Sequence, residues 1–238
     1  MIPYHGTPIT PDTCAIEALK GGHGFVTYAT PQQIRLVAEL CQSFAIDNGA
    51  FIFWKNGKLP NWEKFYAWLA EWIFHPRLDF VVIPDVIEGS EAENDALINS
   101  WKYSESKGAP VWHTNESFER LQRLARSFPR VCIGSSGEYD ASRVGAYIAH
   151  VRRALRTICN FQGYPITKIH LLRGLNPKIF TQLPASSADS TNVGRNIGLD
   201  SSWKGTYQPK SKTVRTRILV DRIEYFNSAC RLEMEYDL

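Results

Sequence analysis

The stretch FVVIPD (residues 80–85) indicates the fold: a short run of aromatic and β-branched residues ends in a proline and then a carboxylate. A run of this kind, bounded by a turn signal, is typical of a buried strand. The residues that follow, 90–107, have the spacing of an amphipathic helix. The same unit of a strand followed by a helix is repeated along the chain, which predicts an α/β protein.

Eight such units are predicted. The predicted strands are residues 2–5, 24–28, 44–47, 80–84, 110–113, 131–134, 168–172 and 183–189. The predicted helices are residues 11–20, 31–41, 61–74, 90–107, 116–127, 141–160, 176–181 and 213–232. Strands separated by helices pair in parallel through right-handed crossovers. We therefore expect one (β/α)8 barrel of the TIM type over residues 1–238, with a basic loop at about 197–212 and a C-terminal helix. A doubly wound open sheet is the alternative.

Composition limits the class of protein. The chain has 238 residues, a formal net charge of +3 and 44% hydrophobic residues, which is enough apolar material for a sizeable core. It has no apolar run of transmembrane length and no signal-peptide pattern, so we expect a cytoplasmic protein that does not enter a membrane. The five cysteines lack CxxC spacing, which fits a reducing compartment and gives no cysteine-based metal site. They are Cys14, Cys41, Cys132, Cys159 and Cys230.

Polar side chains stand at the end of strand after strand. They are Asp47, Asp85, His113, the segment 135–138, Arg173 and Asp189. In a parallel barrel the carboxyl ends of the strands converge on one mouth, where barrel enzymes hold their catalytic residues. We therefore predict an active site there.

Two kinds of chemistry suit these residues. A carboxylate can attack an anomeric carbon and form a glycosyl ester while a second carboxylate transfers protons. Alternatively, Asp47, Asp85 and His113 could hold a divalent metal ion, since aspartate and histidine are ordinary metal ligands. The chain contains no GxGxxG or GxxxxGK[ST] motif, so the usual dinucleotide and Walker phosphate loops are not expected.

Five motifs resemble those of the tRNA-guanine transglycosylase superfamily in order and spacing. They are DNGAF (47–51), IPDV (83–86), IGSSGE (133–138), HLLRGLNP (170–177) and DSTNVGRN (189–196). The short chain and the DNGAF and DSTN variants are most similar to phage DpdA-type enzymes, which exchange guanine in DNA for a 7-deazaguanine base. The chain lacks the CxCxxC…H zinc motif and the appended RNA-binding domain of the tRNA enzymes, which favours DNA as the substrate.

The resemblance implies a role for each matching residue. Asp189 would be the nucleophile and Asp47 the general acid/base of a pentosyltransferase. The base-binding residues would be Asp85, His113, Ser135, Ser136, Gly137, Leu172, Arg173 and Phe51. Tyr139 is the alternative to Phe51 as a stacking residue. The resemblance implies no metal and no organic cofactor, and it implies a deazapurine such as 7-cyano-7-deazaguanine as co-substrate.

A basic segment follows the last of these motifs. Residues 201–220 contain five basic side chains and no acidic one, with Trp203 and Tyr207 interleaved. The segment could be a solvated loop, or it could contact nucleic-acid phosphates. The predicted phosphate contacts are Arg195, Lys204, Lys210, Lys212, Arg215 and Arg217.

The expected partner is DNA that is single-stranded or has its target base flipped out, and a homodimer is left open. Three other functions remain alternatives: an enzyme acting on tRNA, a nucleoside hydrolase, and a catalytically silent barrel that binds DNA or a protein.

Overall fold

All strands in the described part of the protein are parallel and belong to one sheet. The computed structural model describes residues 1–135 and 137–234. The strands are β1 Ile2–Gly6, β2 His23–Thr27, β3 Ser43–Asp47, β4 Leu78–Val82, β5 Gly108–Ala109, β6 Val111–His113, β7 Arg130–Gly134, β8 Lys168–Leu171 and β9 Ser187–Ser190. Their order across the sheet is β5-β4-β3-β2-β1-β9-β8-β7-β6.

The two edges of this sheet meet at Pro110, which separates β5 from β6. On one side of this short segment, Ile83 N donates to Ala109 O at 3.0 Å; on the other, Cys132 N donates to Pro110 O at 2.9 Å. Proline has no N–H to donate to a neighbouring strand, so the strand is interrupted at Pro110. The carbonyls of Ala109 and Pro110 still accept hydrogen bonds from the neighbouring strands on the two sides. Taken as one strand, residues 108–113 close the sheet into the predicted eight-stranded barrel, and the open-sheet alternative is wrong.

Helices follow the strands and surround the barrel. They are α1 Asp12–Leu19, α2 Ile34–Leu40, α3 Ala50–Lys55, α4 Trp62–Leu69, α5 Glu91–Asn99, α6 Phe118–Ser127, α7 Val144–Arg156, α8 Pro177–Phe180, α9 Asn192–Asn196 and α10 Lys212–Glu224. Two short 3-10 helices, Gly137–Tyr139 and Asp200–Trp203, lie in the loops after β7 and α9. No helix within the described residues is long and apolar enough to cross a bilayer.

The largest differences from the predicted helices are at α5 and α10, which each end eight residues early, and α3 and α9 are not predicted by the sequence pattern. α5 stops at Asn99, and the Trp101 indole then donates to Ser104 O at 3.2 Å and forms a turn before β5. α10 stops at Glu224, and four residues later Ser228 Oγ donates to Ala185 O, just before β9, at 2.9 Å. In both places a side chain satisfies a backbone carbonyl outside the helix.

Alternate residues of each strand point into the barrel and form a small inner core. Its buried members are Tyr4, Phe25, Ala45, Phe80, Val82, Ala109, Val111 and Cys132. Below this layer, Asp79 Oδ2 accepts hydrogen bonds from Tyr4 Oη and Arg130 Nη1, both at 2.7 Å. Two residues further along several strands, the inward positions change from apolar to polar, as at Thr27, Asp47 and His113. The period of two along each strand thus leads from the apolar layer to the polar mouth.

Candidate active site

A cavity of about 350 Å³ lies at the carboxyl ends of the strands. This is within the usual range for a small-molecule site. Its lining includes most of the predicted catalytic and base-binding residues: Asp47, Phe51, Asp85, His113, Ser135, Leu172, Arg173 and Asp189. Side chains from separate strands and loops therefore meet at one site, as the strand-end pattern predicts.

Asp47 ends β3, is half-buried and lines the cavity. Gly49 N donates to its Oδ2 at 3.1 Å. Gly49 has φ +82°, and a Cβ there would lie 2.9 Å from Ala29 N, so this turn requires glycine. Burial raises the pKa of Asp47 to about 7, and the negative charges of Asp189 and Asp85 contribute in the same direction. Asp47 can therefore hold or release a proton near neutral pH.

Asp189 lies on β9 and is 5% exposed. Its Oδ1 accepts the backbone N–H of Arg173 at 2.9 Å and faces His170 Nε2 at 3.3 Å. Because a carboxylate only accepts, Nε2 carries the histidine proton and Nδ1 accepts from Ser187 Oγ at 2.8 Å. Burial lowers the pKa of His170, which favours this neutral form. No hydrogen bond among the described residues reaches Asp189 Oδ2, so one oxygen is held while the other is unbonded.

Asp85 follows β4 and is 7% exposed. Asn48 Nδ2 donates to Asp85 Oδ1 at 2.8 Å, and to Ile83 O at 2.7 Å. His113 Nε2 lies 2.8 Å from Asp85 Oδ2. Each carboxylate oxygen has a second lone pair, so Asp85 retains acceptor capacity towards the cavity.

His113 ends β6 between two carboxylates. Its Nε2 faces Asp85, and its Nδ1 lies 3.3 Å from Glu116 Oε1. Burial lowers the pKa of His113, but the hydrogen bonds to Asp85 and Glu116 outweigh this effect and raise it to about 9. The ring packs close to Gly134, where a Cβ would lie 2.9 Å from Val111 Cγ1 and 3.2 Å from His113 Cδ2. His113 is therefore an imidazolium at neutral pH.

The guanidinium of Arg173 crosses the mouth of the cavity. Its Nη2 donates to Ser135 O at 3.1 Å and to Ser135 Oγ at 3.0 Å. The same group lies over the ring of Phe51, 4.0 Å from its centroid, which is a cation–π contact. Arg173 is non-glycine with φ +56°, and the backbone bond from its N–H to Asp189 holds this left-handed conformation. Arg173 thus links the two sides of the mouth.

The remaining predicted residues lie elsewhere or outside the described residues. Gly137 does not line the cavity, and Ser136 lies outside the described residues. Tyr139, the alternative stacking residue, instead stacks on His150 with ring centroids 3.7 Å apart. The assignment of a stacking role to Phe51 stays a prediction.

Of the predicted phosphate contacts, Arg195 lines the cavity. The five cations of the basic segment do not: they are Lys204, Lys210, Lys212, Arg215 and Arg217. Arg217 lies on α10 and its Nε is 2.7 Å from Glu17 Oε1 on α1. Lys55, on the unpredicted helix α3, also lines the cavity. Its position at the end of this short helix gave no signal in the sequence.

Sequence reasoning also missed Asn48, Glu116 and His170. Each stands close to a predicted residue: Asn48 follows Asp47, Glu116 is three residues after His113, and His170, on β8, is two residues before Leu172. The period of two along a strand could have indicated His170. The other two depend on loop geometry that spacing does not indicate.

The arrangement bears on the alternative of a metal ion held by Asp47, Asp85 and His113. Both ring nitrogens of His113 are hydrogen-bonded to carboxylates and offer no lone pair to a metal. In the ranges 1–135 and 137–234, no three His, Cys, Asp or Glu side chains are grouped as metal ligands.

Comparison of the chain with protein-family models found no match, and comparison with curated proteins found none. The chemistry of the cavity and the sequence motifs are therefore what indicate a function for this protein.

Proposed function

We propose that the protein is a guanine transglycosylase acting on DNA, which replaces guanine with a 7-deazaguanine base through a covalent intermediate on Asp189. The observation that supports this proposal most is that Asp47, Asp85 and Asp189, at or just after the ends of three separate strands, line one cavity. A base-exchange reaction needs a nucleophile, a proton carrier and an acceptor for the base edge. These three carboxylates differ in environment in a way that suits the three tasks.

Asp189 suits the role of nucleophile. Its Oδ1 is held by the Arg173 N–H and by His170, and its Oδ2 is left for attack. In the first half-reaction Oδ2 bonds to C1′ as the C1′–N9 bond breaks, and the bonding electron pair leaves with guanine N9. The oxocarbenium-like transition state is stabilised by the nearby negative charge before the ester forms.

Asp47 suits the role of proton carrier. The departing guanine takes a proton from Asp47, and the incoming base returns one to it as its nitrogen attacks C1′ and releases Asp189. The two half-reactions mirror each other, so one residue serves both. A pKa near 7 gives comparable populations of the two forms at neutral pH, which suits such an exchange.

Asp85 suits recognition of the base. An anionic acceptor can pair with the N1–H and the 2-amino group, which guanine and 7-deazaguanine have in common. Ser135 and Leu172 line the same cavity and could contact the base from its sides. No metal or organic cofactor enters this mechanism; the deazapurine is a co-substrate.

The rim of the cavity suits the flanking phosphates. Lys55 and Arg195 line it, and within the described residues neither side chain has an ion-pair partner. This arrangement suits a nucleotide within a strand: the unpaired cations at the rim would contact the flanking phosphates, and the deeper carboxylates would face the sugar and the base. DNA as the polymer rests on the resemblance to the DpdA-type enzymes. We also propose a cytoplasmic location, which the five free cysteines support.

The test is incubation of the enzyme with DNA and 7-cyano-7-deazaguanine, followed by digestion to nucleosides and mass analysis. Appearance of the 2′-deoxyribonucleoside of 7-cyano-7-deazaguanine supports the proposal. Exchange in tRNA alone, release of guanine without insertion, or DNA binding without chemistry would each replace it with one of the alternative functions.

A matched pair of variants links the chemistry to the site. Asp189→Asn removes the nucleophile, whereas Asp221→Asn removes a carboxylate from the exposed side of α10. We expect exchange to be lost in the first variant only. Equal activity in both would exclude Asp189 as the nucleophile.

A further inference from the structure

Glu116 is a buried carboxylate that the proposed chemistry does not use. Its side chain is 3% exposed, and its Oε2 accepts from the backbone N of His113 at 2.8 Å and from Arg120 Nη1 at 2.6 Å. Its Oε1 accepts from Asn94 Nδ2 at 3.2 Å and faces His113 Nδ1 at 3.3 Å. Four contacts to one buried carboxylate fix its position.

This carboxylate belongs to a row of alternating charges that leads from the surface to the cavity. Arg120 is fully buried, and its Nε donates to Asp95 Oδ1 at 2.8 Å near the surface. Arg120 then pairs with Glu116, Glu116 with His113, and His113 with Asp85 at the cavity. Removing one charge from such a row leaves its neighbours buried without a partner, which is costly.

The geometry also determines the protonation of His113. Carboxylate oxygens face both ring nitrogens, at 2.8 Å and 3.3 Å. A neutral imidazole has one N–H and one lone pair, so its lone pair would face a carboxylate in either tautomer. Only the imidazolium donates on both sides.

We propose that Glu116 is a positioning residue for base recognition: it holds His113 as an imidazolium, and His113 holds Asp85 as a fixed anionic acceptor for a base with two adjacent N–H donors. This inference rests on the proposed function and adds the origin of its base specificity. Guanine and 7-deazaguanine present N1–H and an amino group to such an acceptor. Adenine presents the lone pair of N1, which the negative charge repels.

Several other titratable or charged groups surround the row. Around Asp85 they are Asp47 on β3, Cys132 on β7, Arg173 after β8 and Asp189 on β9. Around Arg120 they are Asp95 and Arg123. Asp47 and Asp189 add negative charge near Asp85, and burial raises the pKa of the Cys132 thiol, which keeps that group neutral. Glu116 and Asp85 are the carboxylates that bond directly to the His113 ring.

The first test is nitrogen-15 NMR of the histidine side chains, which does not depend on any enzymatic activity. In the unmodified protein we expect both ring nitrogens of His113 to carry protons at pH 8. In Glu116→Gln we expect the ring to titrate to the neutral form, with its pKa lowered by at least one unit. Glu119→Gln is the control, because Glu119 is an exposed glutamate three residues later, in the first turn of α6. A neutral His113 in the unmodified protein at pH 7, or an unchanged titration in Glu116→Gln, overturns the inference.

The second test measures specificity by calorimetric titration of guanine and adenine at pH 6. We expect the affinity for guanine to fall about tenfold in Glu116→Gln, since a charged hydrogen-bonding partner is weakened, while Glu119→Gln stays unchanged. The preference for guanine over adenine should fall with it. A drop in exchange with unchanged base preference would show a merely structural role and would overturn the inference.

The two tests separate failure of this inference from failure of the proposed function. If the unmodified protein binds no guanine although His113 is doubly protonated, the proposed guanine exchange is wrong. The proposed origin of guanine specificity is then wrong as well. If guanine is exchanged but His113 is neutral, the function stands and the role of Glu116 is wrong. Should Glu116→Gln not fold, the NMR measurement on the unmodified protein and the guanine preference of His113→Gln, which is expected to fall about tenfold, still decide.

Discussion

Asp47 and Asp189 lie three strands apart in the barrel, on β3 and β9, and their carboxylates line the same cavity. They are separated by more than a hundred residues of sequence, yet the negative charge of Asp189 contributes to the raised pKa of Asp47. Two carboxylates that act on one sugar must be near each other without being equivalent. Here Asp189 is held by donors, whereas burial favours the protonated form of Asp47.

Asp189→Ala should abolish formation of a covalent DNA adduct. The variant lacks the oxygen that bonds to C1′, so a denaturing gel after incubation with DNA should show no shifted protein band. Binding of DNA should change little, because the flanking phosphates do not contact this side chain. An adduct that persists in the variant would exclude Asp189 as the nucleophile.

The rate of guanine release should fall as the pH rises through about 7. Departure of the base needs the protonated form of Asp47, whose pKa is raised to about 7. Single-turnover release of labelled guanine, measured between pH 5.5 and 8.5, should show this titration. Asp47→Asn cannot transfer the proton, so its residual rate should not titrate; a profile identical to that of the unmodified protein would exclude Asp47.

Asp47 should also make the protein less stable at high pH. Its pKa is raised on folding from an ordinary value of 3.8 to about 7, so its stabilising contribution is fully present below pH 3.8 and is lost as the pH rises through 7. Asp47→Asn should therefore raise the free energy of unfolding at pH 8 by roughly 1–3 kcal/mol, with a smaller gain at pH 5. Urea unfolding at both pH values measures this difference. Equal effects at the two pH values would contradict a raised pKa.

Lys55→Glu and Arg195→Glu should each weaken DNA binding about tenfold or more at low salt, since each replaces a phosphate-contacting cation by an anion. Gel-shift titrations in rising salt should show a smaller salt dependence than in the unmodified protein. Lys20→Glu, an exposed lysine at the end of α1, is the control with the same charge change. If Lys20→Glu loses as much DNA affinity as the two rim variants, the overall charge of the protein, and not the rim of the cavity, determines binding.

The same gel-shift titration of Lys210→Glu tests whether the basic segment contacts phosphates, since its cations do not line the cavity. A loss of affinity equal to that of Lys55→Glu would extend the interface to this segment.

Tyr4→Phe should lower stability without changing catalysis. Tyr4 is fully buried below the cavity, and its hydroxyl donates to Asp79 at 2.7 Å. Loss of a buried hydrogen bond to a charged group costs about 1.5–3 kcal/mol, which urea unfolding can measure. Tyr225→Phe, on an 84% exposed ring, is the control. A large fall in the rate of exchange would contradict the separation of this layer from the site.

The order of elements and the parallel barrel follow from the sequence, because short apolar runs alternate with amphipathic stretches throughout. The strands predicted from FVVIPD (80–85) and VCIG (131–134) begin and end within about two residues of β4 and β7. The sequence predicts helix ends less well. α10 stops eight residues before the predicted end at 232 because the chain leaves to bond with Ala185, and spacing alone carries no signal for that contact.

The placement of Asp47, Asp85 and Asp189 at strand ends can be read from the sequence, because the side-chain period of two and the bounding turns are local properties. Their differences arise only in the folded protein: which oxygen of Asp189 is held, how far burial raises the pKa of Asp47, and that Glu116 reaches His113. These depend on burial and on contacts between residues distant in the chain. Electrostatic free energies in a low-dielectric interior are set by such distances, which no local pattern specifies.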